Sequence, residues 1–144
     1  RPASRRRAAV MMDQGMLRIS ADVLKKKGAL TPEEKAEIEK HPVYSVESVA
    51  DLGFPKEALG AIRGHHERWD GKGYPDKLGK EKIPFLARVL ALAQAAAAML
   101  SNRPHKAKSP AADVAKELER SAGSQFDPKI VPAMVKVLSR TAKA

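Results

Sequence analysis

The chain has 144 residues, 43% of them hydrophobic and 31% charged, with a formal net charge of +10 and no cysteine. That length fits one domain with a sizeable core. The lack of cysteine excludes disulfides and thiolate metal sites and fits a reducing, cytoplasmic setting, while the basic balance favours anionic partners such as nucleotides, nucleic acid or acidic proteins.

Aromatic residues make up only 4%, so Ala, Val, Ile and Leu must build the core. No apolar run approaches the ~20 residues that would span a bilayer. Arg1, Arg5, Arg6 and Arg7 crowd the start of the chain, and residues 1–7 read as a flexible basic arm ahead of a domain at 8–144. No apolar stretch follows the arm as it would in a signal peptide. The first residue is not Met, so the chain reads as processed or as part of something longer.

The pattern along the chain is helical. Residues 8–17 suit a helix, with Gly15 weakening its end. Ile19 to Leu24 reads as a short helix or turn. Thr31-Pro32-Glu33-Glu34 is a helix start: Thr31 can cap, Pro32 suits the first helical position, and the acids favour the positive end of the dipole. That helix is expected to run past His41 to about Leu52, bent at Pro42. Pro55 to His66 is the next, with Ala58, Leu59 and Ile62 on its apolar face. Residues 70–83 hold too much Gly and Pro for a helix and read as an ordered loop. Pro84 to Leu100 is nearly all apolar and reads as the core helix. A basic loop, 102–109, precedes two closing helices at 110–122 and 128–142, with Gly123 as a stop between them. No strand pair or internal repeat is visible. The expected fold is all-α, a bundle of about five to seven helices.

The chemistry concentrates in His65-His66-Glu67-Arg68-Trp69-Asp70-Gly71-Lys72-Gly73-Tyr74-Pro75. A tandem histidine suits metal or phosphate chemistry, and two glycines with a Tyr-Pro exit mark a shaped loop. Asp13 in MMDQGMLRIS, His41-Pro42, Arg103-Pro104 and Phe126-Asp127-Pro128 lie before and after it. Read as HHExxDGxGYP, with these segments in this order, the chain resembles the HD-GYP family of cyclic-dinucleotide phosphodiesterases over about 120 residues.

The resemblance implies an HD-type helical bundle whose His and Asp residues, drawn from separate helices, hold one or two Fe, Mn or Zn ions. Asp13, His41, His65 and His66 match the ligands of one ion. The positions private to the other are changed. Met12 stands for the His of the His-Asp pair, Met16 for a Lys able to touch phosphate, Gln94 for the Asp of the core helix, and Ala97 for a second acid. The resemblance therefore implies a degenerate member with no catalytic residues of its own, without turnover and with at most a single metal. Arg103 and Lys106 are the candidates for holding a phosphate or cyclic dinucleotide, although His105 replaces the family's Tyr. Asp70, Gly71, Gly73, Tyr74 and Pro75 form the loop through which the family contacts partner proteins, diguanylate cyclase domains among them. A regulatory, protein-contacting role in bacterial signalling is the expectation. An active one-metal phosphodiesterase is the first alternative. A basic nucleic-acid module is the second, though aromatics interleaved with the basic residues, as a stacking surface needs, are missing.

Overall fold

The computed structural model describes residues 2–102 and 107–141, and within them the chain is all helical, with one isolated bridge between Ala122 and Phe126. Eight α-helices follow in order: α1 Pro2–Met11, α2 Ala21–Lys25, α3 Pro32–Ile38, α4 His41–Val49, α5 Lys56–Gly64, α6 Phe85–Leu100, α7 Ala111–Arg120 and α8 Val131–Thr141. Counting α3 and α4 as one broken helix gives seven, the upper end of the expected range. No helix among the described residues is long and apolar enough to cross a membrane.

The start of the chain departs from its sequence reading. Residues expected as a flexible arm form the first turns of α1, and Ala8 is fully buried in the core. Burying Ala8 and packing Met11 beside it draws the segment into helix despite its arginines. After α1 the chain tightens into a 3₁₀ turn, Gln14–Arg18, where one continuous helix was expected.

The α3 start is as its sequence implies. Thr31 Oγ1 accepts from the Glu34 amide and Glu34 returns the favour to the Thr31 amide, a complete capping box with Pro32 inside the first turn. The expected bend at Pro42 is a full break. Glu39 and Lys40 separate α3 from α4, because Pro42 has no N–H to continue the ladder. Later, Gly123 takes φ +83 just past α7, a conformation only glycine adopts without cost.

Two apolar clusters share α6. Leu86 and Leu90 pack with Ala8, Val49, Ala58, Ala61 and Ile62 from α1, α4 and α5. Leu92 and Ala96 pack with Val114, Leu118, Phe126, Val131 and Leu138 from the C-terminal part. An apolar helix buried on two sides is what the FLARVLALAQAAAAML pattern requires. Arg88 ties the halves further. It donates to the carboxylate of Asp127, which is 2% exposed and also accepts from the Lys129 amide at 2.8 Å. Asp127 thus caps the turn that leads into α8 and is a buried ion-pair partner as well.

The 3₁₀ turn lies against α4 at unusually close range. A Cβ on Gly15 would stand 2.1 Å from the His41 carbonyl oxygen and 2.6 Å from the Ser45 amide nitrogen. The glycine amide instead donates to Ser45 Oγ at 2.7 Å, and that hydroxyl donates to the Met12 carbonyl at 2.7 Å. Gly15→Ala forces these backbones apart. The expected cost is about 1–3 kcal/mol of stability, read as a lower urea midpoint at unchanged slope.

Candidate metal centre

Asp13 sits at the entrance of the 3₁₀ turn, with φ −101 and ψ 7, and its side chain makes no capping hydrogen bond. The carboxylate turns instead towards two imidazoles. Asp13 Oδ1 is 3.3 Å from His41 Nε2 and 3.4 Å from His65 Nε2, and those two nitrogens are 3.4 Å apart.

Both histidines stand at helix breaks, and each is oriented by a carbonyl three residues before it. His41 Nδ1 lies 2.8 Å from the Ile38 carbonyl, at the end of α3, and His65 Nδ1 lies 2.6 Å from the Ile62 carbonyl, near the end of α5. A carbonyl oxygen only accepts, so each Nδ1 carries the ring proton. Both Nε2 lone pairs then face Asp13 Oδ1. With the rings neutral, three acceptors converge with no donor between them, and both residues are 3% exposed or less. A divalent cation fits this donor set: neutral imidazole and carboxylate suit Fe, Mn or Zn, and the Nδ1 bonds are the outer-shell support that ligating histidines use.

His66 completes the group. Ligand atoms of Asp13, His41, His65 and His66 all lie within 4.8 Å of one another. The His66 ring stacks on Tyr74, centroids 4.9 Å apart and planes 20° from parallel. Burial, followed by the neighbouring imidazoles, pushes the His66 pKa down to about 3. When no ion is bound and Nε2 carries a proton, hydrogen bonds from His41 and His65 hold the Asp13 carboxyl well below the usual carboxylate range. Burial raises the Tyr74 hydroxyl to about 12, so it stays protonated.

The substituted positions fall into place around this cluster. Met12 packs against the first core. Gln94 lines the groove beside the histidines and donates from Nε2 to Asp13 Oδ2 at 3.3 Å. Ala91, Ala95 and Ala98 of α6 line this groove of about 440 Å³ together with His65, His66, Arg68, Tyr74, Gln125 and Phe126. Met16 is half-buried on the 3₁₀ turn, and Ala97 is exposed. Arg103 and Lys106 lie outside the described residues.

The loop 70–83 is ordered, as its sequence suggests, and Glu67 organises it. This carboxylate is 3% exposed and accepts from the Asp76 amide at 2.7 Å and the Leu78 amide at 3.0 Å, while burial raises its pKa. A Cβ on Gly73 would stand 2.4 Å from the His66 carbonyl oxygen. The loop therefore lies directly on the histidine segment, with a cis Tyr74–Pro75 bond behind it. Arg63 clamps Asp76 with two bonds of 2.7 Å, and Arg68 clamps Asp70. The Trp69 and Asp70 amides donate to the carbonyls of Gln125 and Ser124. Of the five loop residues singled out, Asp70 is exposed, Gly71, Tyr74 and Pro75 are half-buried and Gly73 is buried. The outward side is carried by Lys72, Asp76 and Lys77. Glu67, Gly15 and Ser45 are the structural residues that sequence reasoning missed. Only Glu67 gave a signal, as the third letter of the HHE motif.

A family model described as "HD domain" matches residues 2–130. The chain belongs to the HD domain family. The HHE and GYP segments make it a domain of the HD-GYP type, and its relatives agree. It is 36% identical over 132 residues to a cyclic di-GMP phosphodiesterase of Thermotoga maritima, covering 90% of this chain and 36% of the relative. It is 38% identical over 132 residues to the cyclic di-GMP phosphodiesterase response regulator RpfG of Xanthomonas campestris, covering 90% and 35%. Among solved structures, a cyclic GMP-AMP specific phosphodiesterase of Vibrio cholerae superposes with TM-score 0.63 at 23% identity, covering 85% of this chain and 27% of that one. The HD-GYP domain thus spans about a third of the length of the curated relatives it matches.

Two outcomes test this geometry. Between about 3 and its ordinary 6.5, His66 is neutral when folded and protonated when unfolded. The unfolded chain binds the extra proton, so stability rises with pH across that window and is lost as pH falls through it. In metal-free protein, urea midpoints should fall from pH 6.5 towards 4, and His66→Phe, which keeps the stack on Tyr74, should flatten that fall. Separately, Glu67→Ala removes the acceptor of two loop amides. Hydrogen exchange at Asp76 and Leu78 should speed up by tenfold or more, with α6 and α7 unchanged.

Proposed function

We propose that this is a one-metal HD-GYP domain that binds a cyclic dinucleotide without hydrolysing it and acts as a regulatory, protein-contacting module of cyclic-dinucleotide signalling. The observation that carries this reading is the asymmetry around Asp13. One oxygen faces two converging imidazole nitrogens, while the other faces the Gln94 amide. Asp13, His41, His65 and His66 would hold the ion. A divalent ion there supplies Lewis-acid polarisation of a phosphoryl oxygen. Stabilising both the attacking and the leaving oxygen takes two metals, and Met12 in the core with Gln94 in the groove supplies no ligands for the second.

The relatives' names give the ligand class, cyclic di-GMP or cyclic GMP-AMP. The groove offers a neutral His66, the Arg68 guanidinium and a protonated Tyr74 around the ligand position, and Arg103 and Lys106 would add phosphate contacts. The outward lysines, Lys72 and Lys77, give the loop a positive face for an acidic partner surface, a diguanylate cyclase domain being the family's example.

The other reading is an active one-metal phosphodiesterase. The intact geometry of Asp13, His41 and His65 and the activity named for the relatives favour it. Elemental analysis of protein purified without chelator, paired with cyclic di-GMP hydrolysis in Mn²⁺ or Fe²⁺, separates the two. One equivalent of metal, with retention of labelled cyclic di-GMP and no linear product, is the expected result. One equivalent with cleavage establishes the other reading, and Asp13→Ala or His65→Ala should then abolish both metal and turnover. Two equivalents with cleavage would overturn the proposal entirely.

A further inference from the structure

The carboxylate of Asp13 is divided between two kinds of neighbour. Oδ1 faces two imidazole nitrogens, at 3.3 Å from His41 Nε2 and 3.4 Å from His65 Nε2. Oδ2 faces a donor, Gln94 Nε2 at 3.3 Å. An ionised carboxylate only accepts, so the nitrogen end of the amide must be the one turned towards it. Gln94 reaches Asp13 across 81 residues of sequence, from the wall of α6 to the 3₁₀ turn. It is half-buried, and the neighbouring groove-lining positions on α6, Ala91, Ala95 and Ala98, offer no side-chain donor. Asp13 is 47% exposed and has no capping partner of its own. Among the described residues, the Gln94 amide is the side-chain partner that restrains Oδ2.

We infer that Gln94 is a positioning residue that fixes the metal stoichiometry at one. Its amide holds Asp13 with Oδ1 turned to the imidazole pair and closes Oδ2 to a second cation. A carboxylate that bridges two ions through its two oxygens needs both free to coordinate, and an N–H aimed at one of them repels a cation where an acceptor would attract it. The substitution at 94 is thus a replacement of one function by another: a neutral donor satisfies the oxygen that a second ion would otherwise take. This rests on the one-metal reading above and adds the residue that enforces it.

The test is Mn²⁺ titration by calorimetry, with elemental analysis of the loaded protein, on wild type, Gln94→Glu and Gln94→Leu. Unfolding curves establish that each variant is folded. Glu is isosteric and swaps the donor for an acceptor, so Gln94→Glu should take up a second, weaker equivalent where wild type takes one, Met12 still supplying no ligand. Leu removes the donor without adding a ligand, so Gln94→Leu should take one equivalent about tenfold more weakly. If Gln94→Glu stays at one equivalent, or Gln94→Leu binds as tightly as wild type, the inference is overturned while the one-metal reading stands. If wild type takes no ion, that reading falls and this inference falls with it. Asp13 should respond independently of the metal: the Gln94 side-chain amide protons in apo protein should exchange slowly with water in wild type and rapidly in Asp13→Ala.

Discussion

Three acceptors meet at one point. Asp13 Oδ1, His41 Nε2 and His65 Nε2 lie within 3.4 Å of each other, and both ring protons are committed elsewhere. Such a cluster is unfavourable without positive charge between its members. The surrounding fold makes sense as the means of holding it together. Gly15 lets the 3₁₀ turn lie against α4, Ser45 bridges that contact, and the break at Glu39-Lys40 frees the Ile38 carbonyl for the His41 ring.

The same economy governs the loop. Glu67 follows directly on the two histidines, and its buried carboxylate gathers the Asp76 and Leu78 amides. Tyr74 is thereby laid on His66, and the loop's backbone reaches across to Ser124 and Gln125. The groove therefore has walls from both halves of the domain. His65 and His66 end a helix of the first core, and Phe126 belongs to the second. With α6 running through both cores, neither half shifts without moving a wall.

Much of this was legible in the sequence, for physical reasons. The all-α architecture follows from periodicity, the α3 start from its capping box, and the loop from its glycines and prolines. Asp13, His41, His65 and His66 were grouped by motif order alone, and the fold brings all four together. The misses are equally specific. The basic start reads as an arm because charge is visible locally, whereas the burial of Ala8 depends on α5 and α6. Gly15 looks like a weak helix end, and only its 2.1 Å approach to the His41 carbonyl reveals a packing requirement. Gln94 reads as a missing acid, and its bond to Asp13 is a long-range contact that local pattern does not encode. The ion pair of Asp127 with Arg88, 39 positions away, is likewise invisible to local pattern.

His41 and His65 each take their orientation from a carbonyl three residues back along the chain, Ile38 and Ile62, not from a distant part of the molecule. That has an evolutionary consequence. A neighbouring ligand can be exchanged for Met or Gln and the two rings keep their tautomer and aim, because nothing about their placement was borrowed from it. The placement of the two rings and the chemistry of the residues around them can therefore change separately.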